Sequence, residues 1–288
     1  MAEHAPLSLP TLVQRFFLDH LTEQRAVSAQ TVAAYRDTLR LLFNYAATVL
    51  RRTPSAITLS DLDAPLLLAF LDHLEKGRGN SVRSRNARLA AIRTFLKYAS
   101  HYDLASLATI ERALAIPFKR FDRPLVGFLS RSEVIAIIEA PDRSSWAGQR
   151  DRAFFSMMYN TGARVSEMIG IRCRDVVLEG QPAVHLCGKG RKERSVPRWR
   201  PTAALIRSWR RQIGDPAGDS ILFPNRSGGR MTRSNVTQRL GLAVAIAGRK
   251  YPGLLERPVT PHTVRHTTAM HLLQSGVDIT VIALWLGH

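Results

Sequence analysis

Thr260-Pro-His-Thr-Val-Arg-His266 puts two imidazoles and a guanidinium on the first turns of what reads as a helix. Pro261 suits the first helical position, where its missing N–H would have no partner. Thr260 is the expected N-cap. His262 has Arg265 at +3 and His266 at +4, so both are its neighbours on the helix surface. Such groups at a helix N-terminus, where free N–H groups and the dipole favour negative charge, point to a phosphate. Three further stretches could serve the same anion. Thr161-Gly-Ala-Arg-Val-Ser-Glu167 places Arg164 just after a glycine turn, at the start of a short helix. Gly188-Lys-Gly-Arg-Lys-Glu-Arg194 reads as a basic hairpin tip with Lys189, Arg191 and Lys192 available to a phosphate or a groove. Leu286-Gly-His288 adds another imidazole at the end of the sequence.

Other chemistries fit these groups less well. His262 and His266 are spaced for zinc, but threonine follows His262, so the His-Glu-x-x-His pattern is absent and no third ligand stands at a fixed spacing. No metal site is expected. Gly188-Lys-Gly lacks the P-loop pattern, so no nucleotide and no other cofactor is expected. The two cysteines, Cys173 and Cys187, lack a metal-ligand spacing and read as ordinary thiols.

Composition favours a polyanion as partner. The chain has 288 residues, a net charge of +18 and a pI near 11.1. A protein this basic usually meets nucleic acid. Residues 1–123 hold 17 Lys and Arg against 11 Asp and Glu; residues 124–288 hold 24 against 12. Both halves can therefore touch one polyanion. Arginine dominates, and its planar fork suits phosphate oxygens. No apolar run is long enough to span a bilayer, and a cytoplasmic location is expected.

The elements that must position these groups follow from periodicity. Leu9 to Leu21 repeat at helical spacing. Ser28 opens a second helix, Ser60 a third that Gly77-Arg-Gly79 breaks, and a fourth runs from about Ser81 to Ser100. On the fourth, Arg83, Arg93 and Lys97 share one face with Asn86, while Arg85 and Arg88 lie nearer the apolar edges. No acid interrupts this stripe between residues 76 and 102, which makes it a candidate DNA-contacting face. Residues 1–110 thus read as a helical domain. Residues 111–128, with two prolines and four basic residues, read as a linker. Ser130-Arg-Ser-Glu133 is a capping box that opens a second domain, 129–288. Within it the period switches over 175–197 to short strands, and helical segments follow near 201–213, 233–247, 261–274 and 278–286. The fold class expected is mainly α with a small β-sheet or hairpin.

The order Arg…Lys…His-x-x-Arg…Gly-His resembles the active-site signature of the tyrosine recombinases, the phage integrase family, in its Xer-like branch. Thr-Gly-Ala-Arg-Val-Ser-Glu, Gly-Lys-Gly-Arg-Lys-Glu-Arg, Pro-His-Thr-Val-Arg-His-Thr and Leu-Gly-His are each similar to family motifs and stand in the family's order and spacing. The resemblance covers nearly the whole chain. It implies a helical core-binding domain and a mixed α/β catalytic domain that close on double-stranded DNA as a C-shaped clamp, with four protomers acting on two sites. It further implies that Arg164 and Arg265 grip the scissile phosphate. Lys189 would protonate the departing 5′ oxygen; Lys192 is the other cation that chemistry alone would accept. His262 would act in proton transfer with the nucleophile, and His288 would hydrogen-bond the phosphate. His266 and Glu167 read as supports.

The family's nucleophilic tyrosine usually stands about nine residues beyond the histidine that matches His288. None of Tyr35, Tyr45, Tyr98, Tyr102, Tyr159 and Tyr251 matches that position. The expectation is therefore a nucleophile encoded beyond residue 288, with residues 1–288 alone inactive in cleavage. A truncated, cleavage-incompetent DNA-binding protein is the second reading, and an enzyme of the type IB topoisomerase class the third.

Overall fold

The computed structural model describes residues 7–122, 127–188, 193–197 and 199–287. The chain divides into two compact units, Met1–Arg123 and Pro124–His288.

Unit one is helical. Its elements are α1 (Leu9–Arg15), α2 (Ala29–Leu50), α3 (Ala64–Asp72), α4 (Val82–Ala99) and α5 (Leu107–Leu114). Hydroxyl N-caps set three of the starts: Ser8, Ser28 and Ser81 each accept a backbone N–H from the first turn. α1 and α3 each run on into wider π-helical turns, Phe16–Gln24 and His73–Gly77. Phe16, Leu42, Phe70, Phe95 and Leu96 sit in the core, essentially without solvent.

Two expectations change here. The third helix starts at Ala64, not Ser60. Asp63 caps it through the Leu66 N–H, while Asp61 folds the preceding turn onto Thr58 and Arg52. The segment after residue 110 is also not yet a linker. α5 buries Ile110 and Ala113, and Ile116 follows them into the core. The sparse apolar residues of this segment fall on one helical face, and burying that face outweighs the basic residues around it.

Unit two begins with α6 (Arg131–Glu139), whose capping box pairs Ser130 with Glu133 as the sequence predicts. α7 (Trp146–Thr161) is its central helix, buried on most sides and capped by Ser145. A short helix, α8 (Val165–Met168), leads to an antiparallel sheet of β1 (Val176–Val177), β2 (Ala183–Cys187) and β3 (Glu193–Pro197) in that order. Val184 pairs with Val196 and Leu186 with Arg194, so these four share one face. α9 (Arg200–Gln212), α10 (Arg233–Ala247), α11 (Pro261–Gln274) and α12 (Ile279–Leu286) complete the unit. Phe154, Val184, Ile206, Trp209 and Phe223 form part of its core. Several buried polar groups there are paired: Arg150 forks onto Asp151, which also takes Arg239, and the Trp209 indole donates to the Leu222 carbonyl.

Candidate active site

The site is assembled where α7 ends, α8 and α11 begin, β3 passes and α12 stops. Thr260 caps α11 through the Thr263 N–H, and Pro261 occupies its first turn. This places His262 exposed at the helix start and turns Arg265 inward, only 8% exposed. Arg265 is clamped by two carbonyls, Nη1 to Gly162 O at 2.6 Å and Nη2 to Leu286 O at 2.8 Å. Both carbonyls belong to helix ends, where the last C=O groups lack an intrahelical partner.

Gly162 makes this possible. It ends α7 with φ +58, and a Cβ there would lie 2.4 Å from Leu286 Cδ2. Gly162→Ala therefore strains the backbone and pushes Leu286 away while Leu286 holds Arg265. A loss of about 1–3 kcal/mol is expected, measured as a lowered midpoint of urea unfolding.

Arg164 precedes α8 with an extended backbone. Its N–H donates to Glu167 Oε2 at 2.8 Å, its Nη1 to Glu167 Oε1 at 3.2 Å, and its Nη2 to Gly287 O at 3.4 Å. A third of its side chain remains exposed, against 4% for Glu167. Glu167, read from sequence as a support, is thus the carboxylate at the centre of the site.

Arg194 was not among the residues expected. It forks onto Glu167, Nη1 to Oε1 at 3.2 Å and Nη2 to Oε2 at 2.9 Å, and its Nε donates to Trp285 O at 2.9 Å. Strand alternation was the available signal, since it sets Arg194 on the inward face with Val196.

Two guanidiniums, those of Arg164 and Arg194, therefore share one carboxylate, and Arg265 lies close enough to feel the charge of all three. Burial pushes the Glu167 carboxyl up, but bonds from Arg194 and from the Arg164 backbone, with their charges, hold it below the usual range. Burial, then the positive charge of Arg164, brings Arg265 down to about 10. Arg265 stays charged at neutral pH, and that charge costs the fold at every pH below about 10. An anion seated between the arginines relieves the cost. Phosphate at a hundred times its Kd is expected to add about 2.7 kcal/mol of stability at pH 7. Calorimetry should show the rise in Tm for the protein and a much smaller one for Arg265→Met.

The remaining expected residues divide into three groups. Lys189, Arg191, Lys192 and His288 lie outside the described residues. In unit one, Arg83 and Lys97 are exposed on α4, and Arg88 is half-buried. Arg93 is half-buried with its guanidinium over the Phe118 ring, 5.1 Å from the centroid. Arg85 is a correction: it is 3% exposed and donates to Pro117 O at 3.1 Å and Asn86 Oδ1 at 3.0 Å. Its place at the apolar edge of α4 turns it under the segment that follows α5, so it does not belong to the exposed stripe.

Comparison with known proteins adds the following. The pattern of the phage integrase family matches residues 127–288, and that of the phage integrase N-terminal SAM-like domain matches residues 14–102. The putative integrase/recombinase y4rC of Sinorhizobium fredii is 47% identical over all of this chain and 86% of its own length. The tyrosine recombinase XerD of Pseudomonas putida is 31% identical over 94% of this chain and 87% of its own length. In fold, the chain is similar to the XerH site-specific recombinase bound to its difH substrate, with a TM-score of 0.69 at 21% identity, over 89% of this chain and 73% of that one. It is similar too to a lambda integrase tetramer bound to a Holliday junction, with a TM-score of 0.66 at 14% identity, over 98% and 77% respectively.

Proposed function

The chain belongs to the phage integrase family of tyrosine recombinases, and from that premise we propose that its arginine pocket grips the scissile phosphate of a DNA duplex. The observation that supports this reading is the pairing of Arg164 and Arg194 with the single carboxylate of Glu167, with the charge of Arg265 close by, which leaves the pocket with excess positive charge.

The chemistry follows from that imbalance. A tyrosine hydroxyl attacks the phosphorus, the new bond is a 3′-phosphotyrosyl ester, and the bond to the 5′ oxygen breaks. Arg164 and Arg265 donate to the non-bridging oxygens, whose negative charge grows in the pentacovalent transition state. Lys189 gives its proton to the leaving 5′ oxygen, His262 serves the tyrosine proton, and His288 donates to the phosphate. The freed 5′ hydroxyl of a partner strand then attacks the ester, exchanging strands through a Holliday junction. The bond energy stays in the ester, so no ATP is consumed. Four protomers act on two sites, in the cytoplasm, where the DNA is. Among the described residues no helix is long and apolar enough to cross a membrane.

The tyrosines of residues 1–288 are committed elsewhere. Tyr159 shares a 2.6 Å hydrogen bond with His271 Nδ1. Tyr35 and Tyr98 pack on Phe16, Tyr102 on Tyr98, Tyr45 on Phe70, and Tyr251 lies under Lys250. We propose that none of these six is the nucleophile. The test is a nicked suicide duplex, selected for binding from a random pool, that traps the covalent ester. A chain that carries a tyrosine beyond His288 should form a 3′-linked adduct, and residues 1–288 should only bind. An adduct from residues 1–288 would relocate the nucleophile, and none from either would favour a protein that binds DNA without cutting it.

A further inference from the structure

We propose that Arg194 is a positioning residue for strand cleavage: it occupies Glu167 so that this carboxylate orients Arg164 without neutralising it. The inference rests on the recombinase reading above and adds a residue to it.

The geometry gives Glu167 two tasks that conflict. It accepts the Arg164 backbone N–H, which fixes where α8 begins, and it accepts Arg164 Nη1 at 3.2 Å. A buried carboxylate with one arginine neighbour would form a closed ion pair with it. Arg164 would then face a phosphate with its charge already spent. Arg194 removes that conflict. Its fork engages both Glu167 oxygens from the opposite element, β3, and is itself only 9% exposed. The bidentate pair is the stronger of the two, because two N–H groups of one fork meet the two carboxylate oxygens where little solvent reaches. Arg164, a third exposed, is left as the surplus charge facing solvent.

Arg194 also fixes the end of α12. Its Nε holds Trp285 O, and Gly287 passes so close that a Cβ there would lie 2.8 Å from Arg194 Nη1. Gly287 has φ +71, and its carbonyl receives Arg164 Nη2. One side chain thus spaces the two segments that border Arg164.

An ordinary structural ion pair and a charge-sparing one differ in how Glu167 and Arg194 combine. With Arg194→Met, adduct formation by the cleavage-competent protein at saturating duplex should fall on the order of a hundredfold, with little change in duplex Kd. Adding Glu167→Gln to Arg194→Met should restore about tenfold of that loss, because the carboxylate that captures Arg164 is gone. Arg194→Lys keeps the charge but not the fork, and should lie between the wild type and Arg194→Met. It is also the variant that decides the matter should Arg194→Met fail to fold. A double variant as slow as Arg194→Met or slower would overturn the proposal. So would a loss seen wholly in Kd, or an Arg194→Lys protein as fast as wild type. A wild-type protein that forms no adduct on the selected duplex would instead refute the recombinase reading.

Discussion

Arg164→Ala is expected to slow covalent adduct formation by about 10²–10³-fold, the loss seen when one donor to a developing oxyanion is removed. Duplex affinity should change far less. Arg164 is one cation among the many that a protein of net charge +18 brings to the phosphate backbone. Its particular value lies in where its charge is held. The backbone N–H and one Nη are tied to Glu167, and the other Nη reaches Gly287 O, so the guanidinium is oriented before any substrate arrives. That preorganisation is useful only to a group whose charge grows during the reaction. Gel shift and adduct yield measured on the same preparation separate the two effects. Loss of binding in step with cleavage would mean that Arg164 serves the ground state.

Glu167→Gln is expected to destabilise unit two by about 3–5 kcal/mol, the cost of breaking a buried pair by removing one partner. Glu167 and Arg194 are 4% and 9% exposed, and a neutral amide leaves Arg194 and Arg164 facing one another without a counter-charge. The pH dependence gives a second readout. The folded-state pKa of Glu167 is depressed, so its contribution is complete above its ordinary value of 4.5 and disappears as pH falls through the lower folded value. Wild-type and variant stabilities should therefore differ most near neutral pH and converge in acid. Urea unfolding at several pH values checks this, and a constant gap down to the acid limit would remove Glu167 from the electrostatic account.

Much of this site could be read before the fold was known, and its omissions have a common cause. Thr260, Pro261 and Ser130 act locally, through caps that need only a few neighbouring residues, and each stands where the sequence places it. The Glu167–Arg194 pair spans 27 residues and two different elements. Periodicity could set Arg194 on the inner face of β3, but only the tertiary fold supplies the carboxylate that makes an inward arginine tolerable. Arg85 went the other way. Helical phase put it at the apolar edge of α4, and its burial depends on Pro117, 32 residues on, coming back to accept its N–H. α5 was hidden by the basic residues and prolines around it, since Ala113 and Ile116 declare themselves as core only once α4 is beside them.

The central claim is that Arg164 acts on charge developing at one phosphate, and replacing a single phosphate tests it most directly. A methylphosphonate at the cleavage position carries no negative charge on its non-bridging oxygen. Adduct rates for wild type and Arg164→Ala, each on phosphate and on methylphosphonate, form a cycle in which only the charge contact couples. The account predicts a large Arg164→Ala deficit on the phosphate and one at least about tenfold smaller on the neutral analogue. Equal deficits on both substrates would contradict it.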